Sequence, residues 1–306
     1  MTQRPLAGNN VIDRRGLGRM LSRIMNASVD EALIGLVDSS DRTARRVGFT
    51  GAPGAGKSTL ISRYAKGCLE QGNKTGILAI DPTSPVSGGA LLGDRIRMDA
   101  VADDARLFIR SVPSRNAHDG LCDNAPDLLL AMEQFGFDDI VLETVGVGQV
   151  EYSVKTLVDT LVLVLMPESG DAIQAMKAGI LESADIIVIN KADLPGAERS
   201  HAEISVILGH RPRTADTWST QLIMASDIDG RGIGQLSDTI IQHRAWLSTH
   251  RDHDDMRRKR RAYHLHSLIA RRAHEVMHQM GDDIINQDLV GAFRQLASLV
   301  APVDRG

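Results

Sequence analysis

Residues 47–61 read VGFTGAPGAGKSTLI, an apolar run, a cluster of glycines, then a lysine followed by two hydroxyls. Gly51 to Ser58 satisfies G-x-x-x-x-G-K-[ST] at every fixed position, and it lies between a predicted strand and a predicted helix. Chemistry of that kind needs backbone rather than side chain. Gly51, Gly54 and Gly56, with Ala52, Pro53 and Ala55 between them, let successive N–H groups turn inward around phosphate oxygens. The helix that starts near Lys57 adds its positive end. Lys57 is placed to reach β and γ phosphates, Ser58 to hold Mg²⁺, and Thr59 completes the loop.

A second constellation lies downstream. Asn190, Lys191 and Asp193 form N-K-A-D directly after the apolar run IIVI. An aspartate there accepts from both the ring N–H and the amino group of guanine, a donor pair that adenine lacks. Lys191 is expected over the base, with Asn190 tying the turn back to the phosphate loop. Ser226 and Asp227, after LIMA, are expected to close a further loop over the guanine. Three acids suit the metal: Asp81 at the end of GILAI, Asp94 in SGGALLGDR and Glu143 at the end of DIVLE. Carboxylates at the carboxyl ends of parallel strands face the ligand crevice, and hard divalent cations take oxygen ligands. Gly146, in TVGVGQ, lets a backbone N–H approach the γ phosphate.

The elements that must position these groups are legible as short apolar runs bounded by turn residues: 46–50, 75–80, 138–143, 161–166, 185–190 and 221–226. Runs without polar alternation predict strands covered on both faces, and stretches of helical length lie between most of them, so the expected fold is a doubly wound, mostly parallel α/β sheet. Residues 1–45 read as a helical extension, with Ser28 and Glu31 spaced as a capping box, 46–248 as the nucleotide domain, and 249–306 as a C-terminal helical segment available for dimerisation or partner contact. In that last segment the run RRKRR (257–261) and the histidines 264, 266, 274 and 278 read as a solvated helix face.

At 306 residues the chain can bury a large core without disulfide or metal. A net charge of −4 gives no general attraction to nucleic acid or anionic membrane. Two isolated cysteines, Cys68 and Cys122, suit a reducing compartment. No window approaches the length of a membrane span and the first residues lack a secretory apolar run, so a cytoplasmic protein is expected.

The combination GAPGAGKST, AIDPTSPVSGGALLGDRIRM, LETVGVGQVE, ESGDAIQAMKAGI and NKAD closely resembles the MeaB/MMAA (ArgK) family of P-loop GTPases, within the metallochaperone GTPases. The resemblance runs from about residue 28 to about 248. It implies GTP, GDP and Mg²⁺ as ligands and an adenosylcobalamin-dependent acyl-CoA mutase as partner. It also implies a homodimer, and slow intrinsic hydrolysis that the mutase accelerates while cofactor loading or reactivation is gated. Carried over by position, Lys57 and Ser58 serve phosphate and metal, Asp81, Asp94 and Glu143 the magnesium shell, and Asn190, Lys191 and Asp193 the base. Residues 167–179 resemble the family's third switch, with Asp171, Gln174 and Lys177 at its polar positions and Lys177 the candidate drawn toward the nucleotide when the partner docks. In place of a Gly-rich loop, residues 113–121 carry Arg115 and His118. Gln149 comes three residues after Gly146 rather than next to it, so the attacking water is poorly positioned without help. Two other readings stay open: a small-molecule or protein kinase of the ArgK label, against which NKAD argues, and a nickel-insertion GTPase, for which His118 and Cys122 supply too few ligands.

Overall fold

A computed structural model of the chain describes residues 12–35, 44–81, 103–114, 121–144, 150–167, 179–211, 214, 217–250 and 252–300. Seven parallel strands form one sheet in the order β3-β2-β4-β1-β5-β6-β7. They are β1 (Arg45–Thr50), β2 (Thr75–Asp81), β3 (Leu107–Pro113), β4 (Asp139–Thr144), β5 (Thr160–Leu165), β6 (Ile186–Ile189) and β7 (Gln221–Met224). The helices are α1 (Arg14–Asn26), α2 (Val29–Gly35), α3 (Lys57–Glu70), α4 (Ala125–Gln134), α5 (Val150–Leu157), α6 (Ile180–Ser183), α7 (Ala197–Gly209), α8 (Ile233–His250), α9 (His253–Met280), α10 (Asp282–Ile285) and α11 (Leu289–Val300).

The apolar runs become strands because both faces of the sheet are covered, so each side chain in a run finds a dry partner. Val47, Phe49, Ile77, Val141, Val162 and Val188 pack under α3 and α8. Leu78, Ile80, Ile140, Leu142 and Leu161 face the other way, onto α1, α4 and α5, and Ile187 and Ile189 pack on α6 and α7. Successive residues of a strand thus enter opposite cores, the period of two that pleating imposes.

β3 has no counterpart among the apolar runs. This strand lies at the sheet edge and is only half-buried in its middle, where Arg110 and Ser111 interrupt the apolar run. At the N-terminal side, Ser28 and Glu31 form the expected reciprocal cap: the Ser28 N–H donates to Glu31 Oε2 at 2.8 Å and the Glu31 N–H to Ser28 Oγ at 3.3 Å. That cap opens α2.

Helix α9 corrects one expectation. Arg257, Arg258, Lys259, Arg261, His266, His274 and His278 are exposed, but His264 and Arg260 are not on a purely solvated face. His264 Nε2 lies 2.5 Å from Oδ1 of the buried Asp127 on α4, and Arg271 pairs with the other oxygen of the same carboxylate. Arg260 pairs with Asp159 at 2.6 Å, and Glu275 accepts from the Val29 N–H at 2.9 Å. The charge density of α9 is thus partly turned inward, strapping it across α4 and the α1–α2 junction. Among the described residues no helix is long and apolar enough to cross a membrane.

Candidate functional site

The crevice forms at the carboxyl ends of β1, β4, β5, β6 and β7. β1 ends at Thr50, and the loop 51–56 turns directly into α3. The turn is possible only without side chains at two points. Gly51 has φ 141°, and a Cβ there would stand 2.1 Å from the Val164 carbonyl oxygen of β5. Gly56, at φ 84°, caps α3 in the left-handed region, and a Cβ there would stand 2.2 Å from Asn190 Nδ2. No side chain caps the first turn of α3, which leaves its leading amides directed into the loop. Lys57 is buried at the loop mouth, its Nζ donating to the Gly51 and Ala52 carbonyls at 2.9 and 3.0 Å.

Two further loops converge on this one. The buried Asn190 amide donates to the Ala55 carbonyl at 2.7 Å, so the turn after β6 is fastened to the phosphate loop. Lys191 takes φ 54°, unusual for a residue with a side chain, and its Nζ lies 3.7 Å from Met166 Sδ. Ser226 Oγ donates to Asp193 Oδ1 at 2.6 Å and accepts from the Ile228 N–H at 3.2 Å, which anchors one oxygen of the Asp193 carboxylate. Asp227 is engaged laterally by Arg63 of α3 at 2.8 Å, a tie between loop and helix. Neither Arg63 nor Met166 carries a motif signal, since only the fold brings them to the site.

On the other side of β1, Ser58 Oγ donates to Glu143 Oε1 at 3.1 Å, both residues buried. Asp81, also buried, ends β2, the strand next to β4, where Ala79 stands opposite Glu143. A hydroxyl and two buried carboxylates at adjacent strand ends are the all-oxygen donor set that a hard divalent cation takes, so the residues present fit Mg²⁺. Asp94, Gly146, Gln149 and Lys177, with Arg115, His118, Asp171 and Gln174, lie outside the described residues. Cys122 is buried, and burial pushes its thiol up to about 12, which makes it a poor metal ligand. Among the described residues no group of three or more His, Cys, Asp or Glu is arranged to hold a metal by itself.

A glycine-rich phosphate loop, the Asn190–Asp193 turn pinned to it and an oxygen-rich strand end suit a guanine nucleotide GTPase, and comparison with known proteins agrees. A family model described as methylmalonyl Co-A mutase-associated GTPase MeaB matches residues 23–282. A protein of Pyrococcus abyssi described as a "putative GTPase" is 39% identical over 269 residues, covering 84% of this chain and 81% of its own. The methylmalonic aciduria type A homolog of Mus musculus, described as mitochondrial, is 40% identical over 208 residues, 66% of this chain and 50% of that protein. The crystal structure of a LAO/AO transport system kinase shares the fold, with a TM-score of 0.59 over 97% of this chain and 100% of that one at 23% identity. The chain belongs to the MeaB family of methylmalonyl-CoA mutase-associated GTPases.

Proposed function

We propose that this chain binds GTP and GDP with Mg²⁺ in the crevice between the phosphate loop and the Asn190–Asp193 turn. In this reading it hydrolyses GTP slowly alone, and it uses hydrolysis to gate adenosylcobalamin loading, protection or reactivation on an acyl-CoA mutase. The observation that carries the reading is the 2.7 Å bond from Asn190 to the Ala55 carbonyl, which makes the base-reading turn and the phosphate loop one unit. In this reading the loop amides and the start of α3 hold the phosphates, Lys57 brings positive charge to them, and Asp193, oriented by Ser226, takes the two guanine donors. Ser58, Asp81 and Glu143, with Asp94, hold Mg²⁺, which neutralises phosphate charge when bound. Gly146, Gln149 and Lys177 are assigned to the γ phosphate and the water it meets. Hydrolysis then rests on positioning and charge neutralisation, with little covalent work by the protein.

The mutase as partner is supported by the family's description. We read 46–248 as the GTPase unit, flanked by helical extensions 1–45 and 249–306, acting in the cytoplasm. A homodimer is supported by α11, where Leu289 is 85% and Phe293 68% exposed. Steady-state GTP hydrolysis with and without a cognate cobalamin-dependent mutase tests the coupling. A rise of at least about tenfold on adding the mutase is expected from a water that gains its positioning contact only in the complex. Equal rates would remove the coupling from the account.

A further inference from the structure

Helix α1 and the outer edge of β3 enclose a groove of about 700 Å³. It is remote from the phosphate loop, since β2 and β4 lie between β3 and β1. Five consecutive residues, 107 to 111, line it. Side chains alternate faces along a strand, so a wall of consecutive residues follows the strand's edge rather than either face. That edge pairs with no described strand, because β3 is joined to the sheet through β2 alone. A row of backbone donors and acceptors therefore borders the groove.

The opposite wall, α1, carries three arginines, and Arg110 of β3 adds a fourth cation to the groove. Arg14, Arg15, Arg19 and Arg110 all line the groove, and none of its lining residues is acidic. Two of the four are anchored: Arg14 donates to the Asp104 carbonyl at 2.6 Å and Arg110 to Ser22 Oγ at 2.9 Å. Arg15 and Arg19 stand one helical turn apart, exposed, and form no hydrogen bond or ion pair with any described residue. Gly18 lies on the same helix face, and a Cβ there would meet nothing within 4 Å. A glycine inside a helix costs about 1 kcal/mol relative to alanine, and here it keeps the groove open beside the two guanidiniums.

Concentrated positive charge along an outer edge discourages pairing with a second copy of the same edge, because four guanidiniums would meet four. The same charge selects an acidic strand. A nucleic acid would use the charge and leave the backbone ladder unread. An extended acidic peptide uses both, with main-chain bonds to β3 and carboxylates on the planar guanidiniums. We propose that this groove docks an extended acidic segment of a partner protein, which adds as a strand to the edge of β3 with its carboxylates held by Arg15 and Arg19. The proposal stands whether or not the crevice holds a guanine nucleotide.

Fluorescence anisotropy on the full chain tests it, with a short labelled peptide alternating Glu and Val as the probe. Saturable binding is expected. Arg15→Glu with Arg19→Glu should weaken it about tenfold or more, the worth of one or two charge-assisted hydrogen bonds. Gly18→Phe, which fills the groove while favouring the helix, should weaken it similarly, and both variants should keep the circular dichroism and GTP turnover of the parent chain. N-methylating alternate backbone nitrogens of the peptide should abolish binding although its charge is unchanged. Absence of binding, an undiminished affinity in the double arginine variant, or equal affinity for the N-methylated peptide would overturn the proposal. So would tighter, arginine-dependent binding of a single-stranded oligonucleotide.

Discussion

Replacing Gly56 by alanine places a methyl carbon 2.2 Å from Asn190 Nδ2, in a backbone conformation of φ 84°. Both consequences can be separated, because Gly54 has φ 79° and a Cβ there would meet nothing within 4 Å. Gly54→Ala therefore incurs only the left-handed strain, about 1–2 kcal/mol for an L-residue. Gly56→Ala incurs the same strain and also displaces the Asn190 amide, which leaves the Ala55 carbonyl, its partner at 2.7 Å, without that donor. Stranding a buried acceptor costs about 1–3 kcal/mol. The expected losses are then about 1–2 kcal/mol for Gly54→Ala and about 2–5 kcal/mol for Gly56→Ala. Urea denaturation of the nucleotide-free protein measures both. Asn190→Ala removes the same bond, so in a double-mutant cycle with Gly56→Ala the two effects should overlap by about 1–3 kcal/mol rather than add. Equal losses for the two glycine variants, or additivity in the cycle, would refute the claim that the phosphate loop and the base turn are fastened together at this point.

Three other variants read different parts of the account. Asp193→Asn puts an amide where guanine needs an acceptor pair, so GDP affinity should fall by about 10²-fold or more while xanthosine diphosphate gains, as calorimetry would show. Asp127→Ala leaves His264 and Arg271 facing an empty carboxylate position in a buried site, and a loss of about 3–5 kcal/mol in denaturation is expected, with amide exchange in α9 rising first. Leu289→Asp with Phe293→Asp charges the exposed face of α11 and should shift the chain toward monomer in sedimentation without altering GDP affinity.

Much of this arrangement is legible in the sequence where local chemistry decides it. Buried parallel strands need unbroken apolar runs, so LVLV and IIVI announce β5 and β6, and a loop that must wrap backbone around phosphate announces itself by glycine. The Ser28–Glu31 cap is local and so equally visible. β3 was not, because an edge strand can carry Arg110 and Ser111 in its middle at little cost, which erases the run that marks its neighbours. The inward turn of His264 and Arg271 was hidden for a different reason. Their partner Asp127 lies more than a hundred residues earlier on α4, and a charge-dense helix has the same composition whether its ions face water or one buried carboxylate. Arg63 and Asp227 are paired by the fold in the same way, each ordinary in its own neighbourhood.

The central claim is that a backbone pocket for phosphate shares one crevice with an aspartate that selects guanine. Isothermal titration calorimetry of the full chain with GDP and with ADP, each with and without Mg²⁺, tests it most directly. The account predicts Mg²⁺-dependent uptake of GDP and binding of ADP weaker by about 10²-fold or more. Equal affinity for ADP, or no uptake of GDP at all, would contradict it.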